Sequence, residues 1–165
     1  MKLIESAAEL YAHAIAIERE AAERYSEFAE RMEDEGREDL ARIFGMLARA
    51  EAEHLAELLA RIDGIEIPEI APGRYKWLDA GAPETAAREL IYRLMTPRQA
   101  FAIALHAEQR SQAFFEHVYW TNSDPALRAF AREMANEERE HGALIARLLE
   151  RTPEPSLNST LIFEQ

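Results

Sequence analysis

Apolar positions recur along the chain in four runs, each at the three-to-four-residue spacing of one helix face. The first is Ile4, Ala7, Tyr11, Ile15, Glu18, Ala22, Tyr25, Phe28 and Met32. It stops at Asp34-Glu35-Gly36, where a glycine is a natural helix terminator. The second is Leu40, Phe44, Leu47, Glu51, His54, Leu58 and Ile62, ending at Asp63-Gly64. The third is Phe101, Ala104, Glu108, Ser111, Phe115 and Val118, and the fourth is Leu127, Phe130, Met134, Glu138, His141, Ile145 and Leu148. Thr96-Pro97 and Asp124-Pro125 open these last two runs as N-cap residues followed by proline at the first helical position. Four long helices are predicted.

Residues 65–96 break the pattern. Pro68, Pro72, Gly73, Gly81 and Pro83 punctuate the stretch, with one short helix expected over about Glu84 to Leu94. Short turns near 34–37 and 121–124 make helices one and two, and helices three and four, antiparallel neighbours. The segment of about 30 residues between helices two and three is too long for a turn and long enough to run the length of a bundle. Helix three is then expected to start at the same end as helix one. The organisation read from this is a bundle over 1–151, with its crossover at about 65–96, and a tail over 152–165.

The two halves look duplicated. Placing Glu18 on Glu108 puts Tyr25 on Phe115. Placing Glu51 on Glu138 puts Leu40 on Leu127, Ile43 on Phe130, Leu47 on Met134, His54 on His141 and Leu58 on Ile145. The period is far too long for a solenoid.

Composition narrows the chemistry. The 165 residues contain no cysteine, which removes a disulfide scaffold, a thiolate-held cluster and a cysteine nucleophile. Acidic side chains number 31 against 19 basic ones, a formal net charge of −12, with Lys2 and Lys76 the sole lysines. That balance argues against binding nucleic acid, which needs basic stripes to neutralise phosphates. The stretch from Met1 to Leu10 carries two glutamates where an export signal needs an unbroken apolar run. No uncharged apolar run reaches the roughly 18 residues of a membrane span. A soluble, cytoplasmic protein is expected, with no membrane partner.

Most of the glutamates coat solvent-facing helix surfaces. Glu18, Glu51, Glu108 and Glu138 differ, because each replaces an apolar residue in the middle of a core stripe. His54 and His141 follow Glu51 and Glu138 as Glu-x-x-His, so both side chains of each pair leave one helix face and can converge on one ion. Glu137 is the neighbouring alternative to Glu138, but only Glu138 keeps this spacing to His141. Counting outward from the two turns at 1.5 Å per residue puts all four glutamates at about the same depth, roughly 20–25 Å from the turn end. Four carboxylates grouped in a bundle interior cannot all stay ionised without a counter-charge. Two divalent cations supply it. One glutamate from each of two helices, with Glu-x-x-His from the other two, is how helical bundles hold such a pair, and the donor set suits iron or manganese.

The segments AIEREAAERYSEFA, AEAEHLAELL and NEEREHGALIARLL resemble the ligand helices of the rubrerythrin branch of the ferritin-like superfamily. The resemblance covers residues 1–151. It implies an all-α, ferritin-like antiparallel four-helix bundle with a long crossover between helices two and three. It also implies a centre of two iron ions held by Glu18, Glu51, His54, Glu108, Glu138 and His141, with Glu51 and Glu138 as bridges. Members react the reduced centre with hydrogen peroxide or dioxygen. This chain departs from the family pattern in two places. It lacks the four cysteines of the usual C-terminal rubredoxin domain, so its electrons come from a donor still to be identified. The glutamate that follows the third-helix ligand by one turn is here Ser111, which leaves a symmetric six-ligand site similar to that of bacterioferritin.

The resulting expectation is a di-iron oxidoreductase of peroxidase or ferroxidase type. Its alternatives are an iron-storage or compartment-cargo module, a dimanganese catalase-like protein (manganese or a mixed pair in the same ligands) and, last, a metal-free interaction bundle. Tyr25 lies two turns beyond Glu18 and can hydrogen-bond a ligand carboxylate, although core packing is the weightier role for it and for Phe115. His13, His106 and His117 point away from the ligand stripes and are expected at the surface or in an interface. Trp77, Tyr119 and Trp120, near helix ends, are candidate anchors of a homodimer or larger homo-oligomer. The tail RTPEPSLNSTLIFEQ is expected to pack on this bundle or on a neighbouring subunit rather than to serve as a docking peptide.

Overall fold

A computed structural model describes residues 4–62, 64–68 and 95–153. The predicted crossover helix over 84–94, Trp77 and most of the tail lie outside the described residues. Among those described there are four helices and no strand: α1 (Ala7–Asp34), α2 (Glu38–Arg61), α3 (Pro97–Thr121) and α4 (Pro125–Arg151). Helix α1 packs along α2, and α3 along α4.

The helix ends form where local chemistry satisfies backbone groups. The Thr96 hydroxyl accepts from the Gln99 amide while the Gln99 side chain accepts from the Thr96 amide, a reciprocal capping box with Pro97 behind it. The Asp124 carboxylate accepts from the Ala126 amide at 2.8 Å. After α1, Gly36 takes φ +70°, and the amides of Gly36 and Arg37 donate to the Glu33 and Met32 carbonyls, the paired bonds of a Schellman motif. Ser6 caps α1 through the Glu9 amide, and the Glu9 side chain accepts from the Glu5 amide.

The direction of the second hairpin differs from the sequence expectation. Phe101, near the start of α3, stacks on Phe44 at 4.7 Å in a cluster with Phe28, Met32 and Ile145. The α3–α4 turn sits at the far end, where the Asn122 side chain donates to the Ile4 carbonyl at 3.1 Å. Helix α3 therefore starts where α1 finishes, not where α1 starts, and the two turns cap opposite ends. The reason is geometric. Helix α2 ends beside the start of α1, so a chain that recrosses the full bundle must arrive at the other end. The depth estimate survives because each glutamate lies near the middle of its helix, where reversing a hairpin barely moves it.

Two apolar clusters fill the interior. One holds Ile15, Leu58, Phe114, Phe115, Val118, Leu127, Phe130 and Met134, and the other holds Tyr25, Phe28, Phe44, Leu47, Phe101, Ala104 and Ile145. The polar layer lies between them. Along α1, every residue from Ala12 to Glu18 is buried, so the helix is enclosed all round there rather than along one stripe.

Candidate metal centre

Each of the four helices carries one interior glutamate into the layer between the clusters. Glu18, Glu51, Glu108 and Glu138 are 2–4% exposed, in a fold that otherwise keeps carboxylates outside. His54 and His141 stand on the same layer with their rings stacked at 5.2 Å. Their Nδ1 atoms face the carboxylates. His141 Nδ1 is 2.9 Å from Glu51 Oε1 and 3.7 Å from Glu108 Oε2, and His54 Nδ1 is 3.8 Å from Glu18 Oε2 and 3.9 Å from Glu51 Oε2. All six residues singled out from the sequence are thus brought together.

Two groups of donors are compact enough to hold a cation. One is Glu51, His54 and His141, and the other is Glu108, Glu138 and His141, each with its ligand atoms within 4.8 Å of one another. His141 belongs to both. Glu18 flanks the first group through Glu51.

The electrostatics of this layer are those of an incomplete charge set. Glu18 is pushed up to about 10, first by burial and then by the Glu51 carboxylate beside it. Glu138 is raised well above the usual carboxylate range, first by burial and then by Glu108. For Glu108 burial pulls the same way, but His141, Glu138 and Tyr25 outweigh it and hold the carboxyl below its ordinary value. Burial lowers His141, yet the Glu108 and Glu51 carboxylates facing it carry the imidazole up to about 10. Even so, Glu18 Oε2, Glu51 Oε1, Glu108 Oε2, His54 Nδ1 and His141 Nδ1 are buried without a hydrogen-bond partner; the 2.9 Å approach of His141 to Glu51 is out of line for one. Orphaned buried polar atoms are expensive. Five of them aimed into one layer is the pattern of a metal-ligand set.

Tyr25 is fully buried and donates its hydroxyl hydrogen to Glu108 Oε1. Burial first, then Glu108, raises the phenol well above its usual range, so it stays a donor. It both packs, against Phe28 and Phe44, and orients a carboxylate. Phe115 packs only.

A family model for rubrerythrin matches residues 9–149. The chain belongs to the rubrerythrin family. This is a ferritin-like family of di-iron carboxylate proteins. The crystal structure of an uncharacterised conserved protein from Magnetospirillum magnetotacticum MS-1 is similar, with a TM-score of 0.79 and 32% identity over 93% of this chain and 100% of that one. A search of the curated proteins finds no match. No rubredoxin domain is evident in this rubrerythrin-family chain, which has no cysteine to build one.

The remaining histidines separate. His106 is exposed and His117 half-buried, but His13 is 1% exposed, against the expectation of a surface or interface position. Its Nδ1 donates to the Glu9 carbonyl at 2.8 Å and its ring stacks on Phe114. An angular count could not place it, because α1 is enclosed on every side at that point. Ser111 is buried one turn beyond Glu108. Sequence reading also missed the face formed by His54, Glu57 and Arg61 opposite Glu133, Glu137 and His141. Its three-to-four-residue repeat is visible in both helices once they are set antiparallel.

Proposed function

We propose that Glu18, Glu51, His54, Glu108, Glu138 and His141 hold two iron ions, and that the protein is an oxidoreductase whose reduced centre reacts with hydrogen peroxide or dioxygen. The observation that carries this reading is the set of five partnerless buried donor atoms converging from α1, α2, α3 and α4. Bound there, a ferrous pair supplies the two electrons that convert one peroxide, with two protons, into two waters.

The protein's own part follows from the residues. Two dications would neutralise the four carboxylates and so offset the burial and the mutual repulsion that hold protons on Glu18 and Glu138. Glu51 and Glu138, each one turn before a histidine on its helix, would hold the ions together with His54 and His141, and Glu18 and Glu108 would complete the set. Tyr25 fixes the rotamer of Glu108 through its hydroxyl. The aromatic clusters above and below exclude bulk water from the layer. Electrons come from a donor that these 165 residues, with no cysteine, do not supply.

The test is rapid mixing of the reduced, iron-loaded protein with hydrogen peroxide, and separately with dioxygen. About one peroxide should be consumed for every two ferrous ions oxidised, faster than by the same iron free in buffer. Oxidation no faster than that of free iron, with either oxidant, rejects the oxidoreductase reading.

A further inference from the structure

The six donors are not equally shielded. The glutamate side chains at the centre are almost fully covered, whereas those of His54 and His141 are 26% and 16% exposed. The layer therefore meets solvent on its histidine side, along the seam between α2 and α4.

The seam has an ordered set of rungs. The two helices are antiparallel, and residues three to four apart on each face one another. His54 stacks on His141 at the inner rung. Further toward the end of α2, Arg61 crosses to Glu133 at 2.6 Å. Glu137, one turn from both Glu133 and His141 on α4, falls between those rungs and is half-buried. At the inner end wait Glu51 Oε1, on a side chain 98% buried, and the two Nδ1 atoms, all without a hydrogen-bond partner.

We propose that divalent cations reach the centre along this seam, with the Glu137 carboxylate as a transient ligand between solvent and the histidine pair and Arg61 as the fixed positive charge that slows their approach. The inference rests on the two-ion reading above and adds how the ions arrive. Other paths are poor ones. The apolar clusters close both ends of the layer, the α1–α2 and α3–α4 contacts are the tightly packed interfaces of the bundle, and on the remaining side α1 is buried all round from Ala12 to Glu18. A cation on the seam meets a carboxylate one helical turn from His141, then an imidazole, then the interior glutamates. Desolvation thus proceeds in steps rather than at once. Arg61 stays at the rim because its guanidinium is held by Glu133.

The test is stopped-flow loading of the full apo-chain with cobalt(II), followed by its absorption, with stoichiometry from the end point. Wild type should take up two ions per chain. Glu137→Gln should slow loading about tenfold, and Arg61→Gln should speed it several-fold, each still reaching two ions, since a charge at the approach acts on the on-rate. Glu150→Gln, an exposed change at the far end of α4, should load as wild type does. Wild-type loading rates in both seam variants at two ions per chain would overturn the proposal. So would an end point of one ion in Glu137→Gln, which would make Glu137 a resident ligand. If the wild-type chain takes up no cobalt, the two-ion reading fails and this inference with it.

Discussion

Single residues carry the chemistry here through a mismatch between charge and place. Glu18 ionises at about 4.5 in solvent and at about 10 in the fold. Above 4.5 the unfolded chain releases that proton while the folded chain must keep it, so stability is lost as pH climbs toward 10. His141 moves from 6.5 to about 10, and its contribution, complete below 6.5, is lost over the same range. The two effects add. Glu108, held below its usual value, contributes above the unfolded carboxylate pKa and loses that contribution only as pH falls on the acid side. The metal-free protein should therefore melt lower at about pH 8 than at about pH 6. Manganese(II), which displaces those protons, should raise the melting temperature more at the higher pH. Thermal scans in chelator and in manganese across that interval measure it, and a metal-free form more stable at pH 8 would contradict the assignment. The interior glutamates were legible in the sequence because each interrupts an apolar stripe at a helical position. The half-burial of Glu137 was not, since it depends on which helix faces α4 across the seam.

Elements were legible where they announce themselves through backbone chemistry. Thr96-Pro97, Asp124-Pro125 and Gly36 each mark a boundary by satisfying amides or carbonyls locally, and the structure has a helix end at each. Ser6 was overlooked, although Ser6 with Glu9 three residues on is itself a capping signature. What an element cannot declare is its direction relative to a distant one. The second hairpin ran opposite to expectation because that depends on where a bundle-length crossover lands. His13 shows the other limit, as periodicity assigns a face only to a helix that has an exposed one. Gly36 offers a clean test at this scale. A Cβ there meets nothing within 4 Å, so Gly36→Ala adds no clash, only the left-handed backbone penalty at φ +70°. That should cost about 1–2 kcal/mol. Urea denaturation should show a lower midpoint with an unchanged slope, and an unchanged midpoint would mean the Schellman turn does not hold the α1–α2 connection.

At the scale of the whole molecule, four helices of similar length each place one glutamate near mid-span between two apolar clusters. The family resemblance and the observed bundle agree on that plan. No helix among the described residues is long and apolar enough to cross a membrane. The indole of Trp120, 75% accessible, lies edge-on to Tyr119 at the end of α3. The crossover and tail expectations fall on 69–94 and 154–165, outside the described residues. In keeping with the internal duplication, each hairpin contributes one lone glutamate and one Glu-x-x-His. The proposed chemistry depends on that layer holding two ions. The most direct measurement is an anaerobic titration of the metal-free protein with ferrous iron, counting ions bound per chain in wild type and in Glu51→Ala. A break at about two ions per chain is expected, lost when Glu51, which faces both histidines, is removed. Absence of saturable binding in the wild-type chain, or an undiminished break at two in Glu51→Ala, would contradict it.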